Sequence, residues 1–103
     1  MRLALPEWVH NPTWLDDDNA ITYVVDRFEG TTDPYMALWY HRSPKSGEVC
    51  FGSFGWRNPR PGQFRNDPIW ERVSVDPLTV SPSLLCLDCG AHGWIKEGKW
   101  VPA

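Results

Sequence analysis

Prolines and glycines interrupt this chain so often that the sequence argues against a helical bundle. Ten prolines and eight glycines are spread through 103 residues, and no piece between them carries the 3.6-residue apolar repeat of an amphipathic helix. The length is enough for one domain and too short for two. We therefore expect a mainly β fold, a small single domain over residues 1–103 built of short antiparallel strands and hairpins with an irregular N-terminal segment.

Runs rich in β-branched and aromatic residues mark the expected strands. The predicted strands are residues 20–28, 35–41, 48–56 and 69–75. Residues 93–101 predict a final strand or hairpin, with residues 96–99 as its turn.

Other segments predict breaks in the strands. Residues 1–19 are expected to be irregular, and the acidic run at residues 16–19 is expected to be a solvated turn. Gly52 and Gly55 indicate a bulge inside their strand. The Ser-Pro-Ser sequence at residues 81–83 indicates a turn.

The strongest local signal is the sequence Cys86-Leu87-Asp88-Cys89-Gly90-Ala91-His92. Two cysteines three residues apart and followed by glycine form a knuckle, a tight turn that directs both sulfur atoms at one point. Gly90 lets backbone N–H groups face the thiolates. His92 lies three residues beyond Cys89, within reach of the same ion. These ligands suit zinc, and a redox motif is disfavoured because such motifs usually begin a helix in a βαβ unit.

The cysteine count also bears on the compartment. Three cysteines exclude a complete disulfide framework, and in a reducing compartment clustered cysteines indicate metal ligands. The N-terminus lacks the apolar run of a signal peptide, and no stretch approaches the ~20 apolar residues of a membrane span. We therefore expect a cytoplasmic protein without a membrane partner.

A structural zinc site needs four ligands, and the predicted hairpin of residues 35–56 offers the fourth. If its turn centres between Lys45 and Ser46, His41 lies directly opposite Cys50 and on the same face. A neutral histidine keeps the charge of the site lower, so the preferred ligands are His41, Cys86, Cys89 and His92. Cys50 is the alternative ligand, either in place of His41 or in place of Cys86.

A catalytic zinc would keep an open position beside a general base. The chain has no His-Glu-x-x-His motif. The deaminase pattern also fails, because His41 is followed by Arg-Ser and Leu85 precedes the knuckle. Glu48 and Asp88 are the acids expected near the metal. No catalytic residue is predicted, and a small zinc-dependent hydrolase is the alternative function.

A basic, aromatic loop is the second candidate site. Its residues are Arg57, Arg60, Phe64, Arg65, Trp70 and Arg72. Arginine beside aromatic rings can clamp phosphates and stack bases, so weak nucleic-acid binding through residues 57–72 is the third hypothesis. The net charge of −3 makes nucleic acid an unfavourable partner.

Two stretches near the C-terminus carry a family resemblance, Pro77-Leu78-Thr79-Val80-Ser81-Pro82-Ser83 and Cys89-Gly90-Ala91-His92-Gly93-Trp94-Ile95-Lys96-Glu97-Gly98-Lys99. They resemble the tail signature of a family of small uncharacterised proteins of bacteriophages and bacteria, classed as a domain of unknown function. Its pattern is Pro-Ser, a short spacer, Cys-x-x-His, aromatic-Ile and a glycine turn. The resemblance covers about a quarter of the chain and implies metal binding and a phage origin. Family members often carry a cysteine-rich hairpin upstream, where this chain has only His41 and Cys50.

The knuckle and its neighbouring ligands predict a small zinc-binding interaction module. The family resemblance implies a phage accessory protein that acts on a host protein in the host cytoplasm. The expected partner is a protein. Seven tryptophans are available; most are expected to build the small core, and two or three to lie on a binding face.

Overall fold

A computed structural model describes residues 1–57 and 69–103. In these residues the chain forms eight strands: β1 (Thr13–Asp16), β2 (Asn19–Val24), β3 (Met36–Arg42), β4 (Val49–Gly55), β5 (Glu71–Val75), β6 (Leu78–Leu85), β7 (His92–Lys96) and β8 (Lys99–Pro102). A short 3₁₀ helix, Arg27–Glu29, follows β2. Neighbouring strands are antiparallel and follow chain order, with β1 to β4 in one sheet and β5 to β8 in the other. The prediction of a mainly β domain with short antiparallel strands is confirmed.

The two sheets share one hydrophobic core. Alternate residues of β3 point into it, so Ala37, Trp39 and His41 are all buried. The core side chains come from both sheets: Leu15, Ile21, Ala37, Trp39 and Phe54 from the first, and Leu78, Val80, Leu84 and Ile95 from the second. The ring of Trp39 stacks on Trp100 of β8 with the ring centroids 5.0 Å apart.

Four of the seven tryptophans belong to the core or pack against it, as expected for most of them. Trp39 is part of the core, and the rings of Trp56, Trp70 and Trp100 pack against it. Trp8 is 63% exposed, although its ring meets that of Tyr40 edge to face at 6.0 Å.

Among the predicted breaks, one holds in part and two are wrong. The N-terminal segment is irregular over residues 1–12 only, because β1 pairs with β2. In the acidic run, Asp17 and Asp18 form an exposed turn between these strands, whereas Asp16 belongs to β1 and Asn19 to β2. Residues 81–83 lie inside β6 rather than in a turn. Gly52 and Gly55 make no bulge, because β3 and β4 pair in unbroken register.

Candidate metal centre

The hairpin of β3 and β4 places two of the candidate ligands. His41 pairs directly with Cys50, as the predicted position of the turn required. Both side chains lie on the face of the sheet that is turned toward the core, and His41 is only 1% exposed. Opposed residues of an antiparallel pair hold their Cβ atoms about 5 Å apart, which brings one imidazole and one thiol together.

The loop between β6 and β7 positions the other two candidate ligands, Cys86 and Cys89. The N–H of Cys86 donates to the C=O of Ala91 (2.8 Å), and the N–H of Gly90 donates to the C=O of Cys86 (2.7 Å). Gly90 has a φ of 83°, a left-handed conformation that favours glycine. The loop thus folds as the predicted knuckle, with Cys86 and Cys89 both buried.

Four side chains from the two sheets converge here: His41, Cys50, Cys86 and Cys89. Their candidate ligand atoms all lie within 4.8 Å of one another. His41 Nε2 is 3.3 Å from Cys89 Sγ, and Cys50 Sγ is 3.8 Å from Cys86 Sγ. With Zn–S bonds of about 2.3 Å and a Zn–N bond of about 2.0 Å, a tetrahedral site has S···S and N···S distances of about 3.8 and 3.5 Å. The cluster therefore fits a tetrahedral metal ion.

The three thiols are free cysteines, and their electrostatics favour a bound cation. Burial, together with the neighbouring Cys86 and Cys89, raises the pKa of the Cys50 thiol. Burial alone would also raise the pKa of Cys86, but the backbone N–H groups of Cys89 and Asp88 and the neighbouring thiols lower it overall. Thiolates this close repel one another. A cation lets all three lose their protons, because a metal ion deprotonates its thiol ligands outright.

The imidazole of His41 is suited to bind as a neutral ligand. Burial lowers the pKa of His41, and the backbone of Trp39 offsets only part of that effect. A neutral ring leaves one nitrogen free to coordinate, and Nε2 is the nitrogen that faces Cys89. The other nitrogen, Nδ1, is buried without a hydrogen-bond partner among the described residues.

Aromatic packing holds this ring in place. Trp39 stacks on His41 with ring centroids 3.9 Å apart, and its indole Nε1 donates to Asn19 Oδ1 at 2.9 Å. Metal-binding histidines are usually oriented by a hydrogen bond from their second nitrogen; here the indole of Trp39 also packs against the face of the ring. The sequence interpretation missed Trp39 and Asn19 as neighbours of the site. The spacing of Trp39 and His41, two residues apart in one strand, is the signal that places their side chains on the same face.

His92 lies outside this cluster, which differs by one residue from the preferred set of His41, Cys86, Cys89 and His92. Its side chain is exposed, and its Nε2 is 3.0 Å from Ser83 Oγ. In β7 the buried positions are Gly93 and Ile95, so strand alternation turns His92 to the opposite face. Cys50 occupies the corner of the cluster that His92 was expected to fill.

The surroundings of the cluster are largely apolar. A groove of about 300 Å³ runs beside Cys86, and its lining is Trp39, Phe51, Gly52, Ser53, Trp70, Leu84, Leu85, Cys86, Leu87 and Asp88. Of the described residues that line the groove, Asp88 is the one that carries a charge. Glu48 and Asp88, the two acids expected near the metal, are both exposed, and neither belongs to the cluster.

The second candidate site is partly described. Arg57 and Arg72 both contact Asp33, at 3.9 and 3.4 Å, and Arg72 also lies over the ring of Trp56. Trp70 packs against the core and donates its indole N–H to the C=O of Ser83. The remaining residues of this candidate site lie outside the described residues: Arg60, Phe64 and Arg65.

Among the described residues, the structure has no helix long and apolar enough to cross a bilayer. Comparisons with protein-family models, with curated proteins and with solved structures found no significant match to this chain. The C-terminal resemblance to a phage and bacterial family therefore stays a prediction, and the geometry of the metal centre is the observation from which a function can be argued.

Proposed function

We propose that this protein is a small interaction module whose two sheets are joined by one structural zinc ion. The observation that carries the proposal is the cluster of three thiols and one imidazole, with ligand atoms within 4.8 Å of one another. Three sulfurs and one nitrogen in tetrahedral reach are typical zinc ligands. Four protein ligands also fill the coordination sphere, which leaves no position for a reactive water.

The position of the cluster gives the metal a mechanical role. His41 and Cys50 belong to the first sheet, whereas Cys86 and Cys89 follow β6 of the second. A domain of 103 residues has a modest core, and small domains commonly add a metal to stabilise it. The ion would hold the two sheets together at the end of the domain where β3 ends and β4 begins.

The two other hypotheses have less support. A hydrolase needs an open metal position beside a base, and the exposed carboxylates of Glu48 and Asp88 lie outside a cluster that already has four ligands. Nucleic-acid binding needs free cations, yet Arg57 and Arg72 both contact the carboxylate of Asp33.

A protein is the partner that we propose, and the C-terminal resemblance suggests a phage accessory protein acting on a host protein. Capture experiments with the zinc-loaded protein and a bacterial lysate test this assignment. We expect one host protein to be retained specifically. Retention of nucleic acid at physiological salt, with no protein, would contradict it.

The metal is tested by elemental analysis of protein purified without a chelator. We expect one zinc per chain. Removing the zinc should cost several kcal/mol of folding free energy, and a loss of about 3 kcal/mol would lower the Tm of a domain of this size by roughly 12 °C or more. Protein that carries no zinc, or whose Tm is unchanged by a strong chelator, would contradict the proposal.

A further inference from the structure

The edge strands of the two sheets differ in how they are protected from pairing with another chain. β1 contains Asp16 and an irregular register, β5 contains Glu71 and an irregular register, and β8 contains Lys99 and Pro102. Charges, prolines and bulges of this kind prevent edge-to-edge pairing. The strand β4 has none of them: Val49–Gly55 is uncharged, lacks proline and pairs with β3 in unbroken register.

Within residues 1–57 and 69–103, no strand pairs with the backbone groups on the open side of β4. In an antiparallel ladder, successive residues direct their N–H and C=O groups to opposite sides. Glu48 accepts and Trp56 donates a hydrogen bond on the side of β3, so the even-numbered residues face β3. The residues that face the open side are Val49, Phe51 and Ser53, and no strand of the described residues pairs with them there.

These free groups are arranged symmetrically. The next outward residue, Gly55, already accepts a hydrogen bond from the N–H of Trp70 at 2.8 Å, so the free stretch is centred on Phe51. If two copies of β4 meet antiparallel about that centre, Phe51 lies opposite its own counterpart and Val49 lies opposite Ser53 of the other copy. Every free N–H in the stretch then meets a free C=O.

We infer that β4 is a self-association edge, through which two copies of this chain join their first sheets into one continuous sheet. The side chains of Val49 and Phe51 are 38% and 55% exposed, and each copy would cover those of the other. Since the strand is uncharged, no like charges meet at its centre. A second copy of the chain would then be a further partner of the proposed module. This inference depends on the proposed function only through Cys50, which belongs to β4 and is one of the proposed zinc ligands.

Sedimentation equilibrium of the zinc-loaded protein over a wide concentration range tests the inference. We expect the mass to rise from 11.9 kDa for one chain toward twice that value. Phe51→Lys should abolish the rise, because it places two like charges opposite each other. Val73→Lys is the matched control, since Val73 lies in β5 and is 57% exposed; this variant should still dimerise.

Mixing two charged variants tests whether residue 51 of one copy lies opposite residue 51 of the other. The same experiment distinguishes the loss of dimerisation from misfolding of a variant. Phe51→Lys and Phe51→Glu should each be monomeric alone, and an equal mixture should form a heterodimer because residue 51 faces residue 51. Zinc content measured on every sample keeps the two proposals distinct. A wild-type protein that carries one zinc per chain yet stays at 11.9 kDa would overturn this inference alone. A Phe51→Lys variant that still dimerises, or a mixture that does not, would overturn it as well.

Discussion

The imidazole of His41 lies between an indole ring and three thiols. Trp39 stacks on its face at 3.9 Å, and its Nε2 is 3.3 Å from Cys89 Sγ. Its pairing with Cys50 could be predicted from the sequence, because the position of the turn fixes which residues of a hairpin are opposite. The knuckle could be predicted as well, since two cysteines and a glycine at this spacing have few other structures available.

The exclusion of His92 was not predicted, although a signal was available. Ile95 is an apolar residue three positions further along the same strand and is fully buried. Residues an odd number apart in a strand point to opposite faces, so a buried Ile95 turns His92 away from the core. The short separation of His92 from Cys89 in sequence suggested that both could bind one ion. In a strand, however, the direction of a side chain depends on alternation and not on this separation.

Single substitutions at Cys50 and His92 separate the two ligand sets. Cys50→Ser should reduce the zinc content well below one per chain and lower the Tm, because it removes one of the four proposed ligands. His92→Ala should keep full zinc content and change the stability by less than about 0.5 kcal/mol, as is usual for an exposed side chain. Elemental analysis and thermal unfolding measure both effects. If His92→Ala lowered the zinc content and the Tm more than Cys50→Ser did, His92 rather than Cys50 would be the fourth ligand.

Among the elements, the hairpins were easier to predict than the strand that contains Pro82. The β7–β8 turn was expected at residues 96–99, and Lys96 does pair with Lys99. Pro82 suggested a turn, yet it lies where the pairing of β6 with β7 is irregular, between Val80 and Leu84. Proline is tolerated in a strand at such a place because no ladder hydrogen bond is needed there. The position of Pro82 inside a strand follows only from the pairing of β6 with its neighbours, which the local sequence does not indicate.

The packing of β7 against β8 depends on the absence of a side chain at residue 93. A Cβ atom on Gly93 would lie 2.5 Å from the ring of Trp100, which stacks on Trp39 and through it on His41. Gly93→Ala should therefore shift Trp100 and destabilise the fold by about 1–3 kcal/mol, the usual cost of overpacking. Chemical unfolding measures this.

Gly52→Ala is the matched control for that substitution. Gly52 also lies in a strand, but a Cβ atom there would be 3.7 Å from the nearest atom, in the ring of Trp39, which is an ordinary contact. The free energy of unfolding should stay within about 0.5 kcal/mol of the wild type or rise, because alanine loses less backbone entropy than glycine. An equal loss of unfolding free energy in both variants would show that the packing of Trp100 does not depend on a glycine at residue 93.

At the scale of the whole molecule, two sheets of consecutive strands meet at a shared core and at the cluster of His41, Cys50, Cys86 and Cys89. Each sheet is formed by neighbouring hairpins, so local sequence patterns indicate most of its strands. The contact between the sheets depends on side chains distant in sequence, such as His41 and Cys89, and no local pattern encodes it. This is why the sequence indicated the fold class and the knuckle but not the complete ligand set.

X-ray absorption at the zinc edge of the purified protein tests the central claim most directly. We expect a coordination shell of three sulfur atoms at about 2.3 Å and one nitrogen atom at about 2.0 Å, supplied by Cys50, Cys86, Cys89 and His41. Two sulfur and two nitrogen atoms would contradict the role of Cys50. A shell with a water oxygen in place of one protein ligand would contradict the structural role of the metal and favour the hydrolase.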